Sequence, residues 1–296
     1  MTSPYAGRYG CTDAARERSD PLAGTAPPAT GWLLIEHPAA WARDAVTSAL
    51  GYDLAVAVHA RARRDGMRVL MIRRPGRRPV DPQLTWYRVD LRTAVTTTAT
   101  AATVDDLLTD AFDGGGVTRP GPMVLVCTHG VHDACCARFG RPVAGALAAL
   151  DEINVWECSH LGGDRFAANV LTLPTGDLFG NVLPDHASQI IAAALGGAVP
   201  PELWRGRATL AMAAQAAVTA LVEGGENPEL DSVECSRSGD RWDVSVMVDG
   251  SSRHLQTTEG LSAPAWLTCH APYPTRSRVW RTVQHTPGPE KHTMES

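Results

Sequence analysis

An apolar run that ends in a cysteine constrains this chain more than any other feature. Met123 to Val126, MVLV, reads as a buried strand that delivers Cys127 to its end. From Asp133 to Leu150, small and apolar residues recur at three- and four-residue spacing, which is the pattern of a helix. Cys136 falls early on that helix, with eight residues between it and Cys127. A strand-end cysteine and a helix-start cysteine, joined by a loop that can turn sharply at Gly130, can face one site. A helix N-terminus also favours the thiolate, the form that ligates metals. Four of the seven cysteines lie between Cys127 and Cys158, and the number is odd and the spacing irregular. That is a poor disulfide framework, and it points to metal or redox chemistry in a reducing compartment.

A second loop, HLGGD, opens with His160 just after the strand pattern of Asn154 to Cys158. Gly162 and Gly163 let the chain reverse, so Asp164 can reach the same centre as His160. Two cysteines on one loop and two ligands on another suit a [2Fe–2S] cluster, because thiolates are soft ligands and imidazole can replace a thiolate. Cys158 is an alternative fourth ligand, since residues two apart on a strand share a face, although a small buried hydrophobe is its plainer role. Cys135 is expected to face away from Cys136 and would ligate only if the helix register were shifted by one. His129 and His132 can tune a bound cluster by hydrogen bonds to sulfur or stand in solvent, and Arg165 can offset its charge. Asp133 has the place of a helix N-cap. Cys11 reads as an incidental exposed thiol, Trp156 as core, and Cys235 and Cys269 as structural.

The rest of the pattern is α/β (α+β). Residues 1–30 are rich in small, polar and proline residues and read as a flexible arm. Residues 31–118 read as a module of order β-α-α-β-β-α: strands at 32–36, 67–72 and 86–91, helices at 38–50, 54–64 and 104–112, and a connector RRPGRRP after the second strand. The glycine- and proline-rich stretch from Gly114 to Pro122 marks a boundary. Residues 119–199 then read β-α-β-β-β-α, the order of a thioredoxin-like sheet, with a hairpin about Pro174 to Gly176. Two related thioredoxin-like modules are therefore expected. From 200 to 296 a long helix, two or three strands and a polar tail form an α+β extension.

CTHGVHDACC, the block WECSHLGGDRFAANVLTLPTGDLFG from Trp156 to Gly180, and the upstream PLAGTA and WLLIEHP together resemble the sucrase/ferredoxin-like family. The resemblance runs from about Cys11 to Cys269. It implies a thioredoxin-like ferredoxin domain that binds a [2Fe–2S] cluster through two cysteines and two histidines, the histidines spaced HxxxH. By position Cys127 and Cys136 match the cysteines and His160 the first histidine. Asp164 stands where the second histidine is expected. A carboxylate is a harder, anionic ligand, so ligation by Asp164 would make the reduction potential more negative. Asp164 could instead cap a turn or pair with Arg165.

Charge and hydropathy bound the function. A net charge of −5 gives no case for nucleic acid. No stretch reaches the ~18 apolar residues of a membrane span, and the first thirty residues have no signal-like apolar segment. The expected location is the cytoplasm. No GxGxxG follows a strand and no Walker lysine occurs, so the expected partners are a separate reductase and acceptor. The reading is an electron carrier rather than a stand-alone catalyst. The alternatives are a cluster-free thiol redox protein, a zinc-binding protein, or a degenerate member kept as a binding module. No carboxylate pair supports glycoside hydrolysis.

Overall fold

A computed structural model describes residues 9–76, 84–119 and 121–285. The amino-terminal half contains α1 (Cys11–Glu17), β1 (Gly31–Glu36), α2 (Ala45–Leu50), α3 (Tyr52–Arg64), β2 (Met67–Arg73), β3 (Leu84–Asp90), β4 (Val95–Ala101), α4 (Val104–Asp113) and β5 (Val117–Thr118). The second half contains β6 (Met123–Cys127), α5 (Ala134–Ala149), β7 (Asn154–Cys158), β8 (Val170–Leu173), β9 (Asp177–Phe179) and α6 (Ala187–Ala194). After these come β10 (Trp204–Arg207), α7 (Met212–Glu223) and β11 (Glu234–Ser238), β12 (Arg241–Val248), β13 (Ser251–Leu261) and β14 (Arg278–His285).

The two halves repeat one topology. In each, two strands pair in parallel across a helical crossover, β1 with β2 and β6 with β7. A third strand joins the first antiparallel and a fourth joins the third, which gives β2-β1-β3-β4 and β7-β6-β8-β9. Helices α4 and α6 then follow. This is the thioredoxin-like arrangement, present twice. The repeat is closer than the sequence suggested, because β4 escapes notice: VTTTATA is β-branched but alternates weakly in polarity. The halves are welded edge to edge by antiparallel pairing of Ile72 with Cys158 and Arg73 with Glu157, so ten strands form one sheet.

Several expectations change. The helix placed over 38–50 begins only at Ala45, where the Asp44 carboxylate accepts from Thr47 N at 3.1 Å. Before it, Trp41 is buried in the core and donates to the His37 carbonyl at 3.2 Å, contacts that hold these residues outside the helix. The long helix expected from Pro200 is interrupted: Trp204 to Arg207 form β10 on the sheet edge. Trp204 Nε1 donates to Asp177 Oδ1 at 3.1 Å and Arg207 pairs with the same carboxylate at 2.9 Å. Helix α7 starts at Met212 and is buried on nearly every side, because it packs on β10 and on the separate four-stranded sheet β11-β12-β13-β14. Strand β14 occupies what reads as polar tail. The arm is also corrected from residue 9 on, since α1 buries Cys11, Thr12, Ala14 and Ala15. Parts of the arm, the RRPGRRP connector and the tail lie outside the described residues.

Candidate metal centre

Strand β6 is buried throughout, and parallel pairing with β7 on one side and antiparallel pairing with β8 on the other fix where Cys127 ends. The backbone beyond turns at once, with Asp133 N donating to the His129 carbonyl at 3.1 Å. Asp133 caps α5 as expected, its Oδ1 accepting from Cys135 N at 2.9 Å. Helix α5 approaches the strand end closely because residue 140 is glycine. A β-carbon there would run into the Cys127 carbonyl oxygen. The first turn of α5 thus brings the Cys136 sulfur to Cys127.

The second loop is pinned at both ends. At its start Ser159 N donates to the Met71 carbonyl at 2.8 Å, and Ser159 Oγ accepts from Met71 N at 3.1 Å. The chain then reverses through Gly162 and Gly163, at φ of 91° and 81°, the left-handed region that glycine adopts without strain. Asp164 opens a short 3₁₀ turn and is 4 % exposed. Behind the loop lies Arg205, fully enclosed. Its Nη1 donates to the Gly162 carbonyl at 2.9 Å and to Asn169 Oδ1 at 2.7 Å, while Nη2 donates to the Thr25 carbonyl at 2.7 Å. Asn169 Nδ2 completes the clamp at the Gly163 carbonyl, 2.9 Å away. Thr12 Oγ1 of α1 donates to the Asp164 carbonyl at 3.0 Å.

These two loops bring ligand atoms of Cys127, Cys136 and His160 within 4.8 Å of one another. Asp164 joins them: the Cys136 thiol donates to its Oδ1 at 3.4 Å, and His160 Nδ1 lies 3.0 Å from the same oxygen. That nitrogen is buried and off-axis for a hydrogen bond. His132 stacks on the His160 ring at 3.7 Å between centroids, and with His160 and Asp164 makes a second converging group. The two histidines line an open cleft of about 480 Å³ that also touches Arg43, Asp44 and His59.

The electrostatics are those of a polarised set. Hydrogen bonding from Cys136 lowers the Cys127 thiol well below its ordinary value against the opposing effect of burial, with help from His160. The same bond raises Cys136, which keeps the proton. Burial pulls His160 down, but Asp164 and Cys127 outweigh it and push the ring up to about 9. Burial would raise Asp164, and His160 and His132 hold it low instead.

The remaining candidates fall into place around this centre. Cys158 is wholly buried among core side chains beside Cys127 and is not among the converging ligand atoms of the described residues. Cys135 turns the other way, its sulfur 3.6 Å from that of Cys269. His129 is buried rather than exposed; its Nε2 bonds the Ala42 carbonyl at 2.8 Å and its ring meets Trp41 edge-on. Arg165 turns to Asp20 of the arm, 3.1 Å away, and lies over the Phe166 ring. Cys11 is fully buried, not an exposed thiol. The clamp of Arg205 and Asn169 had no local signal in the sequence.

A family model described as sucrase/ferredoxin-like matches residues 22–206. No curated protein matches the chain. Among solved structures, a thioredoxin-like [2Fe–2S] ferredoxin from Aquifex aeolicus is similar at 20% identity and a TM-score of 0.25, over 29% of this chain and 91% of that one. Two cysteine-to-serine variants of that protein match at the same identity and TM-score, over 28% of this chain and 96% of theirs.

Proposed function

Because the chain belongs to the sucrase/ferredoxin-like family, we propose that it is an electron-transfer protein whose [2Fe–2S] cluster is held by Cys127, Cys136, His160 and Asp164. The observation that carries this reading is the convergence of two thiols and an imidazole from two loops within 4.8 Å, with a buried carboxylate against them. The donor set suits the group: soft sulfur with imidazole is iron–sulfur chemistry, and the buried Nδ1 of His160 has no aligned partner of its own. When bound, the cluster supplies a reversible one-electron couple.

The chain's residues supply the rest. Cys127 favours the thiolate while Cys136 keeps its proton, so ligation by both sulfurs releases that proton. Trp156, Leu161 and Cys158 exclude water from the inner side. Arg205 and Asn169 fix the backbone of the loop that carries the nitrogen and oxygen donors. His132 and His160 form the outer wall on the open cleft, where a separate reductase and acceptor would dock in turn. An open edge favours an electron carrier over a structural zinc ion at the same residues, since structural zinc sites are closed.

Anaerobic purification with visible spectroscopy and iron and sulfide assays tests this. The expected protein is red-brown with about two irons and two sulfides per chain. A colourless, iron-free chain overturns the reading. Asp164→His should keep the cluster and raise its potential, because a neutral ligand replaces an anionic one. An unchanged potential and spectrum would remove Asp164 from the ligand set.

A further inference from the structure

A second group of sulfurs lies on the opposite side of the α5 N-terminus. Cys11 from α1, Asp133 and Cys135 from the start of α5, and Cys269 from the segment between β13 and β14 place one ligand atom each within 4.8 Å of one another. Three stretches far apart in sequence therefore meet here. All four residues are buried, at 0%, 0%, 2% and 9% exposure. The Cys135 and Cys269 sulfurs are 3.6 Å apart, and the Cys11 sulfur is 3.7 Å from either oxygen of Asp133.

We propose that these four residues form a closed, structural zinc site, distinct from the candidate electron-transfer centre. The Cys135–Cys269 and Cys11–Asp133 edges match those of a single-ion tetrahedron. Bonds of about 2.3 Å to sulfur and about 2.1 Å to oxygen put the S···S edge near 3.8 Å and the S···O edge near 3.6 Å. The donor set also matches, since zinc takes thiolates with an oxygen or nitrogen donor in closed four-coordinate sites. The backbone around the group is arranged as an outer shell. Cys135 N and Cys269 N donate to the two oxygens of Asp133 at 2.9 and 2.7 Å, and Cys11 N donates to the Cys269 sulfur at 3.4 Å. Gly10 closes the wall; a β-carbon there would lie 2.6 Å from the Cys135 sulfur and 3.2 Å from that of Cys269.

Charge gives an independent argument. Asp133 is wholly buried, and among the described residues no lysine or arginine pairs with it. Backbone N–H groups and the Cys11 thiol face this carboxylate, and a divalent cation would offset its charge together with that of the thiolates beside it. The site's four residues are all buried, in contrast to His132 and His160, which line an open cleft. The consequence is mechanical. Zinc would tie α1 and the segment carrying Cys269 to the start of α5, at a group of residues separate from the neighbouring centre.

The test uses the full chain, purified anaerobically without chelators from zinc-containing medium. Elemental analysis should find about one zinc per chain, and zinc-edge X-ray absorption should show three sulfurs near 2.3 Å, one oxygen, and no imidazole scattering. Cys11→Ser and Cys269→Ser should each lower zinc several-fold while iron, sulfide and visible bands stay as in the wild type. A variant that does not fold leaves the wild-type absorption spectrum to decide. Imidazole scattering at the zinc edge would place zinc at His160 and overturn the proposal. So would a zinc-free wild type, a Cys135–Cys269 disulfide in its place, or zinc retained by both variants. Loss of iron together with zinc in a folded variant would also overturn it, by showing one shared site.

Discussion

Arg205 shows how far the chemistry of a residue can lie from its sequence signal. Its guanidinium is fully enclosed and hydrogen-bonded to Gly162, Asn169 and Thr25. Burial pulls its pKa down to about 9, because enclosure disfavours the charged form that its hydrogen bonds hold in place. Arg205→Met would leave two carbonyls and an amide oxygen without their donor. The expected loss is roughly 3 kcal/mol or more of folding stability by denaturant titration, with lower iron per chain because the His160 loop is no longer held. A stable variant with full iron content would show that the loop holds itself. The convergence of Cys127, Cys136, His160 and Asp164 was legible because each sits where a local pattern ends: an apolar run, a helix start, a pair of glycines. Arg205 was not, because its partners at the loop lie 43 and 36 positions away and the two contributions meet only after folding. Cys11 was misread for the same reason, since what buries it comes from Asp133, Cys135 and Cys269.

Elements were legible where one face repeats and obscure where tertiary packing overrides propensity. Strand β6, helix α5 and strand β7 follow their hydrophobic periods, but β4 and β10 do not, and the turn over 38–44 obeys the burial of Trp41 rather than helical spacing. Gly140 is the instructive position in α5. In a helix interior glycine costs about 1 kcal/mol relative to alanine, so a helix-propensity argument would favour replacing it. The structure argues the reverse, because the helix rests against the Cys127 carbonyl at that point. Gly140→Ala must push α5 off the strand end and carry Cys136 away from Cys127. The expected outcome is a net loss of about 1–3 kcal/mol by thermal or denaturant unfolding, with reduced iron occupancy. A gain in stability from better helix propensity would mean that the close approach has slack.

For the molecule as a whole, two thioredoxin-like halves act as one body through a short seam. Its sheet register has two pairs, Ile72 with Cys158 and Arg73 with Glu157. At the second pair an ion pair of 2.7 Å is almost sealed from water, with side chains 7% and 9% exposed. The Arg73 guanidinium lies 4.0 Å from the Trp41 ring centre, and Thr128 Oγ1 donates to Glu157 at 3.1 Å. The seam therefore reaches the residue that follows Cys127 on one loop, and through Ser159 the residue that precedes His160 on the other. Repetition of topology was visible in the order of elements, but the seam was not, since nothing in either half marks which edge meets the other. A buried pair of this kind contributes little net stability against an apolar replacement, while removing one partner strands a charge. Glu157→Leu is expected to cost about 3–5 kcal/mol in denaturant unfolding, and the double variant Arg73→Met, Glu157→Leu to recover most of that loss. If the pair also sets the spacing of the two loops, the double variant should fold well yet bind less iron than the wild type. A single variant as stable as the wild type would show instead that the halves hold together by apolar packing alone, with the ion pair a passenger at the seam.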